Sequence, residues 1–196
     1  MAFDGYKVEQ AVKDLLLAFG KKIEGTDLEE TPRRVRGYWQ ELLEGECFTN
    51  KEIAEMYGKT FKTKGDSLVI KKIDNVFSHC EHHLALMYNM SVVVAYLPTQ
   101  NPDGTYNVIG LSKIPRIVDL CCKRLQLQER IAADISECIR LATGSNDVYV
   151  NIVGDHACVS ARGAKSSGKT DVTNLSGKFI HNVDLRNEVE RKVGVI

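Results

Sequence analysis

The spacing of apolar residues changes repeatedly along this chain, and the order of those changes limits the fold more than any other feature. Val8, Ala11, Val12, Leu15 and Leu16 recur at helical spacing up to Gly20, a residue suited to ending a helix. Thr31-Pro32 reads as an N-cap with proline at the first helical position, and Val35, Tyr38, Trp39, Leu42 and Leu43 form one apolar face up to Gly45. A third short helix follows Thr49. Near Lys59 the period shortens: Phe61 to Lys64, a Gly65-Asp66 turn and Ser67 to Phe77 predict a hairpin, and valine-rich Ser91 to Leu97 a further strand. Asn-Pro-Asp-Gly within Pro98 to Asn107 predicts an exposed loop. Helical spacing returns from Ser112 to about Lys123 and from about Gln126 to Thr143, closed by Gly144. Asp147 to Ser160 reads as strand, Arg162 to Thr173 as a loop or irregular edge, and Asp184 to Val193 as a final helix. This order predicts an α+β domain over residues 59–196, preceded by a helical segment over 1–58.

With 196 residues, 43% of them hydrophobic, the chain can build one well-cored domain rather than two large ones. Its 26 basic and 26 acidic residues cancel, which argues against nucleic acid or an anionic membrane as partner. An anionic ligand must then be held by a local basic cluster. No apolar run approaches the ~20 residues that span a bilayer, and the first residues lack the apolar core of a signal peptide, so a soluble, cytoplasmic protein is expected. Six cysteines, irregularly spread, do not form a disulfide framework; reduced thiols are free to bind metal.

Cys80-Glu81-His82-His83 is the densest chemical cluster. A thiolate and an imidazole two residues apart can hold one zinc ion from a turn, although a buried thiol beside surface histidines is the plain alternative. His156-Ala157-Cys158 strengthens the metal reading. In a strand His156 and Cys158 share a face about 6–7 Å apart, so one can bind metal while the other works beside it. Three protein ligands leave a fourth position for water, as catalytic zinc sites do. A closed structural site, with His82 or His156 added to Cys80, His83 and Cys158, is the competing arrangement. A nucleobase deaminase is set aside, because no Cys-x-x-Cys occurs here.

Ser112 reads as an N-cap, with Lys113 and Arg116 on one face of the following first turn, beside free backbone N–H groups. Cations there oppose the helix dipole unless an anion binds, although two solvated charges would look the same in sequence. Arg162, if the strand continues, lies on the face of Cys158 about 13 Å away, a separation that suits a ring at the metal and a phosphate chain beyond it. Gln128-Glu129 near a helix start fits a dipole complement; its functional reading is a carboxylate fork for the adjacent N–H and NH₂ donors of guanine.

These residues resemble the GTP cyclohydrolase I family. The resemblance rests on Cys80 to His83, Val-Ala-Tyr-Leu-Pro at Val94 to Pro98, Val-Ile-Gly-Leu-Ser-Lys-Ile at Val108 to Ile114, Gln-Glu-Arg at Gln128 to Arg130, and His-Ala-Cys-Val-Ser-Ala-Arg-Gly at His156 to Gly163, with Thr31 to Arg34 before them. It implies Cys80, His83 and Cys158 as ligands of Zn2+, His82 and His156 as acid/base residues, and Gln128 with Glu129 at the guanine. It further implies Lys113, Arg116 and Arg162 on the triphosphate and Ser112 near the ribose and phosphates. The implied fold is the tunnelling fold: an antiparallel sheet with helices on one face, joined into a barrel across subunits, in a decamer of two stacked pentamers whose lone monomer is inactive. The implied reaction hydrolyses GTP at C8, releases formate and rearranges the remainder to 7,8-dihydroneopterin triphosphate. A hydrolase stopping at a ring-opened or formylated purine, or a non-enzymatic zinc-stabilised nucleotide-binding protein, are the alternatives. The chain departs from the family pattern at Leu84 to Asn89 and at Thr170 to Thr173.

Overall fold

A computed structural model describes residues 3–194; the outermost residues of the segments 1–58 and 59–196 lie outside that range. Helix α1 (Gly5–Ala18) is followed by Gly20 at φ 69°, a left-handed conformation that glycine adopts without penalty. Helix α2 (Thr31–Leu42) starts one residue earlier than expected: Glu30 is the N-cap and makes no side-chain cap bond, while Pro32, with φ already set for a helix, sits in the first turn. A 3-10 turn (Glu44–Cys47) leads to α3 (Asn50–Tyr57), which opens on a capping box between Thr49 and Glu52. Helix α3 buries Ile53 and Ala54 and packs on a later helix, so the last part of segment 1–58 belongs to the main core.

The strands are β1 (Thr60–Thr63), β2 (Val69–Cys80), β3 (Ala85–Tyr96), β4 (Tyr106–Ile109), β5 (Leu125–Gln126), β6 (Val148–His156) and β7 (Thr170–Leu175). The main sheet has the order β5-β2-β3-β6-β7, antiparallel except where β5 joins β2. Helices α4 (Lys113–Cys122) and α5 (Gln128–Thr143) cross over between β4 and β6. The one-turn helices α6 (Ala157–Ser160) and α7 (Lys178–His181) and the terminal α8 (Val183–Val193) complete the chain.

Three expectations change. The hairpin across Gly65-Asp66 does not form: β1 pairs with β4, Phe61 opposite Val108, in a separate two-stranded ladder. Strand β2 instead pairs along its length with β3, from Val69 opposite Tyr96 to Cys80 opposite Ala85, through two register shifts. Pairing two twelve-residue strands satisfies more main-chain groups than a four-residue partner could. The expected loop holds over 98–105, with a tight turn at Asn101–Gly104 closed by the Gly104 N–H on Asn101 O at 2.9 Å, and gives way to β4 at Tyr106. Secondly, the strand read from Asp147 to Ser160 stops at His156 and turns into α6. Thirdly, Thr170 to Thr173, within the stretch read as a loop or irregular edge, forms a regular strand, β7, at the sheet edge.

Helices cover both faces of the sheet, not one. Val92, Val94 and Tyr96 of β3 and Val150 and Ile152 of β6 pack with Ile114 and Ile117 of α4 and Ile131, Ile135 and Ile139 of α5. On the opposite face Val93, Ala95 and Tyr149 meet Phe179 of α7 and Val189 of α8. This double burial is why Val92 to Tyr96 is apolar without alternation. Strand β5 covers the outer edge of β2 only at His79 and Cys80, and β7 has no ladder partner on its outer side among the described residues.

Candidate metal centre

Strand β2 ends on Cys80, and Glu81 to Leu84 form the turn into β3. The Leu84 N–H donates to Cys80 O at 2.9 Å, and Leu84 takes φ 52° to close the turn. Met87 of β3 lies opposite His156, so the end of β6 arrives beside this turn, and the helical twist of α6 carries Cys158 round to it. The sulfurs of Cys80 and Cys158 and a ring nitrogen of His83 lie within 4.8 Å of one another. Cys80 Sγ is 3.9 Å from His83 Nδ1. In a tetrahedral zinc site such ligand atoms are about 3.5–3.8 Å apart, given Zn–S near 2.3 Å and Zn–N near 2.0 Å. The donor set therefore fits a single borderline-soft cation with little movement.

Cys80 is buried, Cys158 half-buried and His83 exposed, so the cluster opens to solvent on the histidine side. Burial, and then the adjacent Cys80 sulfur, push the Cys158 thiol up, while the positive charge of Arg162 acts the other way. A bound cation would relieve the crowding of two thiolates. Arg162 lies in the exposed segment after α6, not on a continuation of the strand. Among the described residues the ligand group has three members, not the four of a closed site.

His156 and Cys158 do not share a strand face, because the strand has ended between them. His156 Nε2 instead meets Gln128 Oε1 at 2.6 Å. Gln128 is 2% exposed, and its Nε2 donates to Ile152 O at 2.7 Å and Thr170 O at 3.0 Å. The whole amide is committed inside the protein, while Glu129 beside it is exposed. His82 is exposed, its ring 6.3 Å from that of His83.

Ser112 is the N-cap of α4 but makes no side-chain cap bond, and Lys113 and Arg116 occupy the first turn as expected. The Arg116 guanidinium lies over the Tyr57 ring at 5.9 Å. At the other end of α4, Cys122 O accepts from Ser78 Oγ at 2.7 Å, and shortly beyond it Gln126 pairs with Cys80. About 15 Å of helix therefore runs between Lys113 and the end of α4 that meets Ser78, two residues before Cys80.

Two supports have no separate signal in the sequence. Arg130 forms a forked ion pair with Glu81, fastening the first turn of α5 to the ligand turn. Behind Cys80, buried His79 takes a 2.7 Å hydrogen bond with Tyr38 OH, and its ring stands edge-on to Tyr38 and Trp39. Each pair joins residues far apart in sequence, and their types alone do not select one partner from many.

The family model described as GTP cyclohydrolase I matches residues 8–194. The protein named GTP cyclohydrolase 1 of Clostridium botulinum (strain Loch Maree / Type A3) is 46% identical over 187 residues, covering 91% of this chain and 92% of that protein. That of Ruminiclostridium cellulolyticum is 46% identical over 197 residues, covering 96% and 97%, and that of Clostridium acetobutylicum 43% over 185 residues, covering 91% and 92%. With its cysteine–histidine cluster assembled and nearly its whole length matched, this chain belongs to the GTP cyclohydrolase I family.

Proposed function

We propose that the protein hydrolyses GTP at C8, releases that carbon as formate and converts the remainder to 7,8-dihydroneopterin triphosphate. The observation that carries this reading is the gathering of Cys80, His83 and Cys158 within 4.8 Å, open on one side and adjoined by His156, in a chain of this family. These three residues would hold zinc, which supplies a Lewis acid able to bring a water pKa down to about 7. His82 and His156 give and take protons as the C8–N7 and C8–N9 bonds break, a task suited to imidazole near neutrality. Glu129 accepts the N–H donors of the guanine edge. Ser112 serves the ribose and phosphates, and Lys113, Arg116 and Arg162 bind the triphosphate through charge-assisted hydrogen bonds.

The sites form between subunits. Lys113 and Arg116 open the end of α4 remote from the metal ligands of their own chain, so a neighbour's cluster completes the pocket. The bare outer edges of β2 and β7 suit joining sheets into a barrel, the family's tunnelling arrangement, with two pentamers stacked as a decamer. Helix α1 buries no residue, and it forms with α2 an apolar groove lined by Val8, Val12, Leu16, Val35, Trp39 and Leu43, as a helical segment used in assembly requires. The chain divides into this helical segment, 1–58, whose α3 is built into the core, and the catalytic domain, 59–196. Among the described residues no helix is long and apolar enough to cross a membrane, and the cytoplasm is the proposed location.

Zinc-loaded protein incubated with GTP should yield formate and a pterin that fluoresces after oxidation. Absence of both with zinc bound overturns the reading, and formate without pterin identifies a hydrolase that stops at an opened ring.

A further inference from the structure

We infer that Gln128 is a positioning residue that fixes His156 as its Nε2–H tautomer, leaving Nδ1 as the nitrogen available for proton exchange. The inference rests on the proposed acid/base role of His156. A glutamine amide can in principle lie either way round, but here its neighbours decide. Nε2 faces two main-chain carbonyls, Ile152 O at 2.7 Å and Thr170 O at 3.0 Å, and carbonyls only accept. The reverse orientation would set the amide oxygen against both carbonyl oxygens in a site that is 2% exposed. Such a buried mismatch is not offset by water.

With both N–H groups spent, the atom 2.6 Å from His156 Nε2 is an oxygen that can only accept. His156 Nε2 therefore carries the hydrogen. The two carbonyls belong to β6 and β7, so the amide is clamped by the main chain of the sheet and holds the ring at the point where β6 ends. The partner of a catalytic histidine sets which nitrogen is free to react and how the ring is aimed. Here a neutral buried amide does so.

Two measurements test this on the full-length, zinc-loaded protein. The first is solid-state ¹⁵N spectroscopy of sedimented protein labelled only at its five histidines, with His156 identified by the signals missing in His156→Asn. Protonation at Nε2 is expected, and an Nδ1-protonated ring overturns the inference. The second is Gln128→Met, which keeps the length of the side chain and removes its hydrogen bonds. With zinc content unchanged, kcat should fall about 10²-fold, the scale of a misplaced acid/base group, with little change in KM. Raised KM at unchanged kcat would return Gln128 to the guanine and overturn the inference. Should Gln128→Met fail to fold, the wild-type spectrum decides. If the wild-type protein releases no formate from GTP, the proposed activity falls, while the spectrum still decides the tautomer.

Discussion

Arg130 grips Glu81 with two parallel hydrogen bonds, Nη1 to Oε2 at 2.6 Å and Nη2 to Oε1 at 3.1 Å. The guanidinium holds the Glu81 carboxyl below its usual range, and Glu81 Oε1 is itself 3.9 Å from His82 Nε2. One contact therefore steadies the turn that carries Cys80, His82 and His83. Arg130→Lys keeps the charge but loses the planar fork. Zinc affinity, measured by competition with a chromophoric chelator, should fall by about 10-fold, in line with the loss of supports behind metal ligands. Unchanged affinity would reduce the pair to a surface contact.

The metal ligands and the neighbouring histidine should separate by substitution. Cys158→Ala removes one of three donors and should abolish stoichiometric zinc binding. His156→Ala should keep the metal and lose turnover, since its Nε2 is engaged by Gln128. Metal analysis beside a formate assay reads both, and retained turnover in His156→Ala would remove it from the chemistry.

Tyr38 and His79 link α2 to the strand that ends in Cys80. Tyr38→Phe leaves the buried ring nitrogen of His79 without a partner, at a cost of about 1–3 kcal/mol. A denaturant titration should show the lower midpoint with an unchanged slope. A midpoint equal to wild type would mean that water replaces the hydroxyl.

Much of this layout was legible because it is local. Thr49, Gly20 and Gly144 mark helix ends through local conformation, and all three appear where expected. Cys80 and His83 were legible as a pair because a turn holds residues that close. Strand partnership was not. Phe61 to Lys64 reads as half of a hairpin in sequence, but β2 pairs with β3 and β1 pairs with β4. Cys158 joins Cys80 and His83 as the sequence suggests, but it reaches the cluster through a helical turn rather than strand alternation. The internal bonds of Gln128 were not legible, because its partners, Ile152 O and Thr170 O, are main-chain atoms that any residue type would offer.

Tyr96, fully buried in β3, accepts the Ile109 N–H on its hydroxyl at 2.9 Å. Ile109 ends β4, and Ser112 and Lys113 follow after Gly110 and Leu111. Tyr96→Phe strands a buried N–H and should cost about 1–3 kcal/mol in stability. It also loosens the lead into α4, so KM for GTP should rise more than kcat falls, as steady-state kinetics would show. Loss of stability with unchanged KM would mean that the position of α4 does not depend on this bond.

If Cys80, His83 and Cys158 hold a tetrahedral ion as proposed, one coordination position would stay open, on the solvent side where His83 is exposed. Cobalt in place of zinc makes the difference visible, because its bands report the ligand set directly. Two sulfurs and one nitrogen should give a thiolate–cobalt charge-transfer band together with intense four-coordinate visible bands. Adding azide should then shift the visible bands, since an anion can replace solvent at the open position. A spectrum indifferent to azide would mean that a fourth side chain closes the site, and His82, exposed next to His83, is the residue within reach. His82→Ala would then restore the response to azide, and the cluster would be a staple of the fold rather than a centre of catalysis.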